Sequence, residues 1–319
     1  MNLDARKKVV FVMSTNYAGS TVLGLVLGGH SRAAVIGEPA SLLKRSKEGW
    51  RHKKYCSLCQ DDGSKCQVWD ADLVAAVREN PSQVYSLFDR KIGGECDVFV
   101  DGSKDLAWLD ACVKEKRADP WIIHISKPVE SYLASILTRR EGGTLMEYSA
   151  ISWARLNRQI REYATNRGIP YLFVRYPEFA TRTDDFVRKL SQFLGLEAEP
   201  DCSKFWEFSP HYVKGNPGVA SHFDRKLVGK EPGLNKEIYT ENHQKIFLDE
   251  KWKRLIGKSV LDRVYSLREV CKESETLGFK YPLSSRSRNL AQAVLGGAMG
   301  EFVSAARFVT GADREKILS

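Results

Sequence analysis

What this chain lacks narrows its reading before any motif does. No run of apolar residues is long enough to cross a bilayer, and no repeat or low-complexity tract interrupts the 319 residues. Arg6, Lys7 and Lys8 stand before the first apolar run like the opening of an export signal. The chain turns polar directly after Met13, however, and no small-residue cleavage site follows a proper apolar core. Together with an odd count of seven cysteines, this sets the expectation of a reducing, cytoplasmic setting with mostly free thiols. Aromatic residues are not interleaved with the basic ones, apart from Trp50 and Tyr55, so a platform for single-stranded nucleic acid is disfavoured and no nucleic-acid partner is expected.

What is present points to one large α/β domain. A chain of this length with 43% apolar residues can bury a sizeable core, and a single domain with insertions fits better than two separate ones. The net charge of +9 suits a small molecule with several negative groups, and it suits nucleic acid or an anionic membrane equally, so charge alone selects none of them.

The stretch "VVFVMSTNYAGSTVLGLVLGGHSRAAVIGEP", Val9 to Pro39, carries the first chemical signal. Val9 to Met13 is a short, uninterrupted, β-branched run, as in a strand of a parallel sheet covered on both faces. Small and turn-forming residues follow from Ser14 to Thr21, then helical spacing from Val22 to Gly29, which predicts a helix start near Gly19. Such a start aims free backbone N–H groups and the positive end of the helix dipole at whatever sits in the turn, which favours an anion. Ser20 and Thr21 add hydroxyl donors. Between Gly19 and Thr21, where a nucleotide-binding loop carries lysine, stands Ser20, which argues against an ordinary ATPase or GTPase.

Four segments in order resemble those of sulfotransferases that use 3′-phosphoadenosine 5′-phosphosulfate (PAPS). "AGSTVLGLVLGGHSRAAVIGEP" resembles the family's 5′-phosphosulfate loop, first helix and following strand. "WIIHISKPVESYLASILTRR", Trp121 to Arg140, is similar to its 3′-phosphate segment, a strand, a basic residue and a helix with a serine eight residues after the base. "YLFVRYPEFATRTDDFVRKLSQFLGLE", Tyr171 to Glu197, resembles its Tyr-Glu-Asp-Leu strand and the helix closing on Phe-Leu-Gly-Leu, and "HYVKGNPG", His211 to Gly218, its late Gly-rich loop. The resemblance implies a P-loop-like sulfotransferase fold: a central parallel β-sheet flanked by helices, with a cysteine-containing insertion and a helical C-terminal tail. It implies one sulfotransferase domain over residues 1–282, with the insertion at about 44–70, and a tail over 283–319.

The resemblance also distributes roles. Tyr17, Ala18, Gly19, Ser20, Thr21 and Val22 would hold the 5′-phosphosulfate; Lys127 and Ser135 would hold the 3′-phosphate, with Lys214 and the Gly215 backbone closing from the late loop. Tyr17 and Ala18 depart from the family, which has an Arg or Lys and a serine there, so a cation must come from elsewhere. "VFVDGSKDL", Val98 to Leu106, ends an apolar strand in a turn that resembles the Asp-Ser-Ser-Lys element of bacterial members, making Lys104 the candidate. Glu38 lies where the strand Ala33 to Ile36 leaves the sheet, the edge at which ligands of open parallel sheets bind, and the family's Gly-Glu position implies a general base. The alternative is a structural carboxylate. His30 is the competing base, although the family's histidine at this place caps the first helix. His124, inside an apolar strand, reads as a core histidine.

The expected product is adenosine 3′,5′-bisphosphate, and the acceptor is a hydroxyl on a sugar, lipid, peptide or small molecule. Two other readings stay open: a P-loop-like nucleotide kinase or hydrolase, and a non-catalytic nucleotide-binding protein. In "HKKYCSLCQDDGSKC", His52, Cys56, Cys59 and Cys66 are separated by three, two and six residues, a set that either satisfies tetrahedral structural zinc or leaves idle or redox-labile thiols. Lys44, Arg45, Lys47, Arg51, Lys53 and Lys54 form the densest basic cluster, either a surface for substrate or peripheral membrane contact or a solvated face. Helices are predicted over Trp153 to Arg167, Asp249 to Leu277 and Leu290 to Val309, the last covering the core or a second subunit in a homo-oligomer.

Overall fold

The computed structural model of the protein describes residues 7–43, 55–59, 66–115, 118–139, 145–216, 219, 221–223 and 240–279. His52, the basic cluster from Lys44 to Lys54 and the expected tail helix lie outside the described residues.

Five strands form a parallel sheet: β1 (Lys8–Met13), β2 (Ala33–Gly37), β3 (Val98–Asp101), β4 (Asp119–Ser126) and β5 (Tyr171–Arg175). Their order is β2-β3-β1-β4-β5. The central strand shows why its sequence has no polar interruption. Val9, Phe11 and Met13 pack into the core on one face, Val10 and Val12 into the core on the other, and all five are buried. Removing either face's side chains from water contributes about 2 kcal/mol per large residue, so an alternating polar pattern would forfeit one layer.

The first face is covered by α2 (Ala71–Glu79), α3 (Val84–Ile92) and α4 (Leu106–Lys114), and by Ile160 and Ala164 of α6 (Met146–Asn166). The second is covered by α1 (Ser20–Gly28) and, past α5 (Val129–Leu137) and the short α7 (Tyr176–Thr181), by α8 (Thr183–Leu194). Helix α8 illustrates how sequence makes this layer. Phe186, Val187, Leu190 and Leu194 recur at helical spacing and are buried, while Asp184 and Asp185 in the first turn complement the helix dipole. Its C-cap Gly195 adopts φ 70°, and Leu196 N–H closes back on the Ser191 carbonyl at 2.9 Å.

Because the chain leaves β1 towards β2 and leaves β4 towards β5, the strand order reverses between β1 and β4. In doubly wound sheets ligands bind at such a switch point, beyond the carboxyl ends of the strands.

The chain divides into two compact units. The sheet and its covering helices belong to the first, Met1–Lys127, Thr138–Glu141 and Leu156–Asp249; the second comprises Pro128–Leu137, Gly142–Arg155 and Glu250–Ser319. Within the second, Tyr265 hydrogen-bonds the buried Glu130 carboxyl and Arg155 makes a forked pair with Glu269, at 2.9 and 3.2 Å. The helix predicted over Asp249 to Leu277 is instead three helices, Trp252–Leu255, Lys258–Ser266 and Arg268–Thr276. Ile256 and Leu267 take extended backbone and are buried, so each break turns an apolar side chain inward where a continuous helix would point it elsewhere. Among the described residues, no helix is long and apolar enough to cross a membrane.

Candidate active site

The turn after β1 is a strained cradle. Tyr17 and Gly19 both have left-handed backbone, φ 63° and 94°, and Gly19 stands at the head of α1 without a side-chain cap. A side chain at Gly19 would overlap the ring of Tyr176, whose hydroxyl donates to the Phe247 carbonyl at 2.8 Å. The first-turn N–H groups of α1 are therefore left facing the turn, an arrangement suited to an anion. Ala18 is fully buried and Ser20 nearly so, Thr21 and Val22 are half-buried, and the Thr15 hydroxyl is a buried group without a hydrogen-bond partner. A cation stands above the Tyr17 ring. The Arg139 guanidinium lies 4.7 Å from the Tyr17 centroid and donates to Asn216 Oδ1 at 3.4 Å.

Glu38 and Lys104 meet beside this cradle. Lys104 pairs with Glu38 Oε1 and donates to the Gly102 carbonyl at 3.0 Å, while Glu38 Oε2 lies 3.9 Å from Lys214. Both partners of the first pair are mostly shielded, at 15% and 13% side-chain exposure, so the pair is held more firmly than a surface salt bridge. The strand ends hold it in place. Gly102 N–H donates to the Gly37 carbonyl at 2.6 Å, and Ala40 N–H to Ser103 Oγ at 3.2 Å. Beneath them Asp101 is fully buried and accepts from Tyr85 Oη (2.9 Å), Trp108 Nε1 (2.9 Å) and the Ser103 N–H (2.8 Å). Burial raises the Asp101 pKa while these donors oppose the shift, and they anchor the turn that gives Lys104 its φ of 55°.

The late segment closes the site from the other side. Val213 bridges Gly37, with Glu38 N–H donating to its carbonyl at 2.7 Å and its own N–H donating to the Ile36 carbonyl at 3.0 Å. Only glycine fits at 37, since φ is 92° and any Cβ would overlap the Val213 backbone. Lys214 has φ 56°, Gly215 packs against Thr21, and Asn216 N–H donates to Thr21 Oγ1 at 3.1 Å. Tyr212, fully buried and with a hydroxyl that finds no partner, lines a small cavity with Thr21, Glu38 and Gly215. Of the four non-glycine residues with left-handed backbone among the described residues, three are Tyr17, Lys104 and Lys214; such strain persists where the surroundings overdetermine it and gathers at functional sites.

The other expected residues fall as follows. Lys127 directly follows β4 and is buried, at 7% exposure. Ser135 lies on α5 in the second unit, its hydroxyl donating to the Ser131 carbonyl at 3.1 Å. His30 Nδ1 accepts from the Arg32 N–H at 3.0 Å and Nε2 lies 2.8 Å from the Glu197 carbonyl, so both ring nitrogens serve the turn after α1. His124 is fully buried, 2.8 Å from both Tyr171 Oη and Asn157 Oδ1, and burial pushes its pKa down to about 4. Cys56, Cys59 and Cys66 gather around His211.

Sequence reasoning missed four contributors. Asp101 stood inside a quoted motif but gave no sign of being a buried anchor. Arg139 follows the helix end with no periodic signal. His211 and Tyr212 open the late Gly-rich stretch, in which only Lys214 and Gly215 carried a role.

No family model matches the chain, and no curated protein matches it. Solved structures do. A sulfotransferase domain from the curacin biosynthetic pathway superposes with a TM-score of 0.61 at 17% identity, covering 86% of this chain and 99% of that one. A sulfotransferase domain from the Synechococcus PCC 7002 olefin synthase superposes with a TM-score of 0.58 at 16% identity, covering 88% and 99%. The chain thus has the P-loop-like α/β fold of sulfotransferases.

Proposed function

We propose that the protein moves a sulfuryl group from PAPS to an acceptor hydroxyl. The observation that carries this reading is the convergence, beyond the carboxyl ends of β1, β2 and β3, of an anion cradle without the nucleotide-loop lysine, the Glu38–Lys104 pair and the Lys214 loop. When bound, PAPS supplies a sulfuryl group activated as a mixed anhydride, whose 5′-phosphate leaves. The N–H groups at the head of α1, with Ser20 and Thr21, would hold that end of the donor, and Lys127 its 3′-phosphate. Ser135 falls in the second unit, and the reading is drawn from the first.

Loose in-line transfer needs positioning and charge stabilisation more than covalent help from the protein. Glu38 would take the acceptor proton on a carboxylate oxygen as the acceptor oxygen displaces the 5′-phosphate from sulfur. Lys104 has a third N–H beyond those given to Glu38 and Gly102, and would offer it to the negative charge that grows on the leaving phosphate. His30 is not the base in this reading, because neither ring nitrogen is available.

Calorimetry with adenosine 3′,5′-bisphosphate tests the site, and a metabolite-pool screen with radiolabelled donor tests the acceptor. The bisphosphate should bind without magnesium and raise the melting temperature. Tight magnesium-dependent ATP binding with no bisphosphate binding would favour a kinase or hydrolase instead.

A further inference from the structure

The cysteine insertion and the late segment come together in a way that neither stretch shows alone. Cys56 and Cys66 are buried and Cys59 half-buried, and all three sulfurs surround a single ring nitrogen. His211 Nδ1 lies 3.9 Å from Cys56 Sγ and 3.4 Å from both Cys59 Sγ and Cys66 Sγ, and the four atoms all fall within 4.8 Å of one another. A ring nitrogen carries one hydrogen or one lone pair, so it can serve one of these thiols and not three. A hydrogen bond at that nitrogen therefore accounts for one of the three contacts and leaves the other two.

A tetrahedral metal explains it. With metal–sulfur and metal–nitrogen bonds of about 2.3 and 2.05 Å, sulfur and nitrogen ligands stand about 3.6 Å apart. The three observed separations bracket that value. The surroundings are also those of a thiolate site. The backbone N–H groups of Leu58 and Cys59 point at the Cys56 sulfur, and Trp69 N–H donates to Cys66 Sγ at 3.2 Å. Donors of this kind orient thiolate ligands and offset their charge. Trp69 Nε1 donates to the His211 carbonyl at 3.1 Å, fixing the histidine from behind.

We propose that Cys56, Cys59, Cys66 and His211 bind one zinc ion in a closed, structural site. Three thiolates and an imidazole fill all four positions, which leaves none for substrate and marks the ion as structural. Binding would convert the three thiols to thiolates and release their protons to solvent. The ion would join residues 145 to 155 positions apart at a place that matters for the neighbouring chemistry. Just beyond His211, Val213 bridges both Cys56 and Gly37, Ser57 N–H donates to the Tyr212 carbonyl at 2.9 Å, and Ser57 Oγ donates to the Lys214 carbonyl at 2.7 Å. Zinc would thus clasp the segment carrying Tyr212, Lys214 and Gly215 against the end of β2 beside Glu38. The metal site stands whether or not the sulfuryl-transfer reading does.

The test is elemental analysis of the full-length chain purified without chelator. About one zinc per chain is expected, with a loss of melting temperature on treatment with a strong chelator. His211→Ala and Cys66→Ala should lose the metal, and His52→Ala should keep it. Because loss of a ligand can also unfold the chain, the wild-type protein should be exchanged with cobalt(II). Intense visible bands of tetrahedral cobalt with thiolate charge transfer are expected at one equivalent. Failure to bind either metal, octahedral cobalt bands, or a Cys56–Cys59 disulfide in the purified protein would overturn the proposal. Metal retained in folded His211→Ala but lost in His52→Ala would overturn the assignment of His211. None of these readouts uses donor or acceptor, so they fail independently of the transferase reading.

Discussion

The cradle after β1 and the clasp around Val213 face the same small cavity, but they are built in opposite ways. Residues 14–22 are contiguous, and their conformation follows from local chemistry: a strand that ends, two left-handed residues, and a helix that starts without a cap. The clasp draws on Gly37 and Glu38, on Cys56, Ser57, Cys59 and Cys66 and on His211 to Asn216, joined only by tertiary bridges. A local element writes its signal in adjacent residues; a clasp writes it in pairs whose partners no spacing identifies. The comparison separates what each half would do under the sulfuryl-transfer proposal: the cradle would hold the donor's anionic end, while the clasp sets where Lys214 and the cavity wall stand.

The largest expected effect falls at Glu38, where the two halves meet. Glu38→Gln keeps shape and hydrogen-bonding capacity but removes the proton acceptor. Turnover should fall by roughly two to four powers of ten, the usual contribution of a positioned general base, with bisphosphate affinity nearly unchanged. Near-normal turnover with the true acceptor would make the carboxylate a structural partner of Lys104 alone.

A change beneath both halves should disturb neither. His124 is held neutral by burial, its pKa pushed down to about 4, so between about pH 6.5 and 4 the unfolded chain binds a proton that the folded chain refuses. Stability is therefore present above about pH 6.5 and is lost as pH falls towards 4, by at most roughly 3 kcal/mol from this residue. His222, also pushed down to about 4 by burial, adds in the same direction. His124→Gln should flatten the acid side of the stability profile in urea titrations while leaving bisphosphate affinity as it was. An unchanged slope would show that His124 is protonated in the folded protein.

Gly37→Ala breaks the clasp and spares the cradle. The new Cβ meets the Val213 backbone at a residue with φ 92°, so strain and displaced bridges together should cost about 2 kcal/mol or more. Chemical denaturation would read that loss, and calorimetry should show the bisphosphate binding more weakly. Unaltered stability and affinity would mean that the late segment is not held at this point.

These contrasts also explain what could be read in advance. The five strands were legible because each is a short apolar run, and β1 was clearest because both of its faces are buried. Glu38 and Lys104 were legible as strand-end residues, but not as an ion pair, since β2 and β3 lie 60 residues or more apart and only the sheet brings Gly37 and Asp101 into register. The helix expected over Asp249 to Leu277 failed because amphipathic spacing continues through Ile256–Gly257 and Leu267; Gly257, at about 1 kcal/mol below alanine in helix propensity, was the one local warning. His52 was the natural zinc partner by proximity in sequence, whereas proximity in space selects His211 among the described residues.

The smallest effect asks whether cradle and clasp communicate. Arg139 touches both, its guanidinium over the Tyr17 ring and its Nη1 on Asn216 Oδ1. Lysine in its place keeps the charge but loses the planar face that stacks on tyrosine and the fork that reaches Asn216. Arg139→Lys should therefore weaken bisphosphate binding by only several-fold, about 1 kcal/mol, the scale of a partly exposed cation–π contact. Arg139→Ala, which removes the charge too, should weaken it further. Combining Arg139→Lys with Gly37→Ala closes the cycle. If the guanidinium transmits the position of the late loop to the cradle, the double variant should lose less affinity than the two single losses added, because the clasp it serves is already displaced. Strict additivity would show that Arg139 acts on the donor alone, and that the two halves share a cavity without sharing a signal.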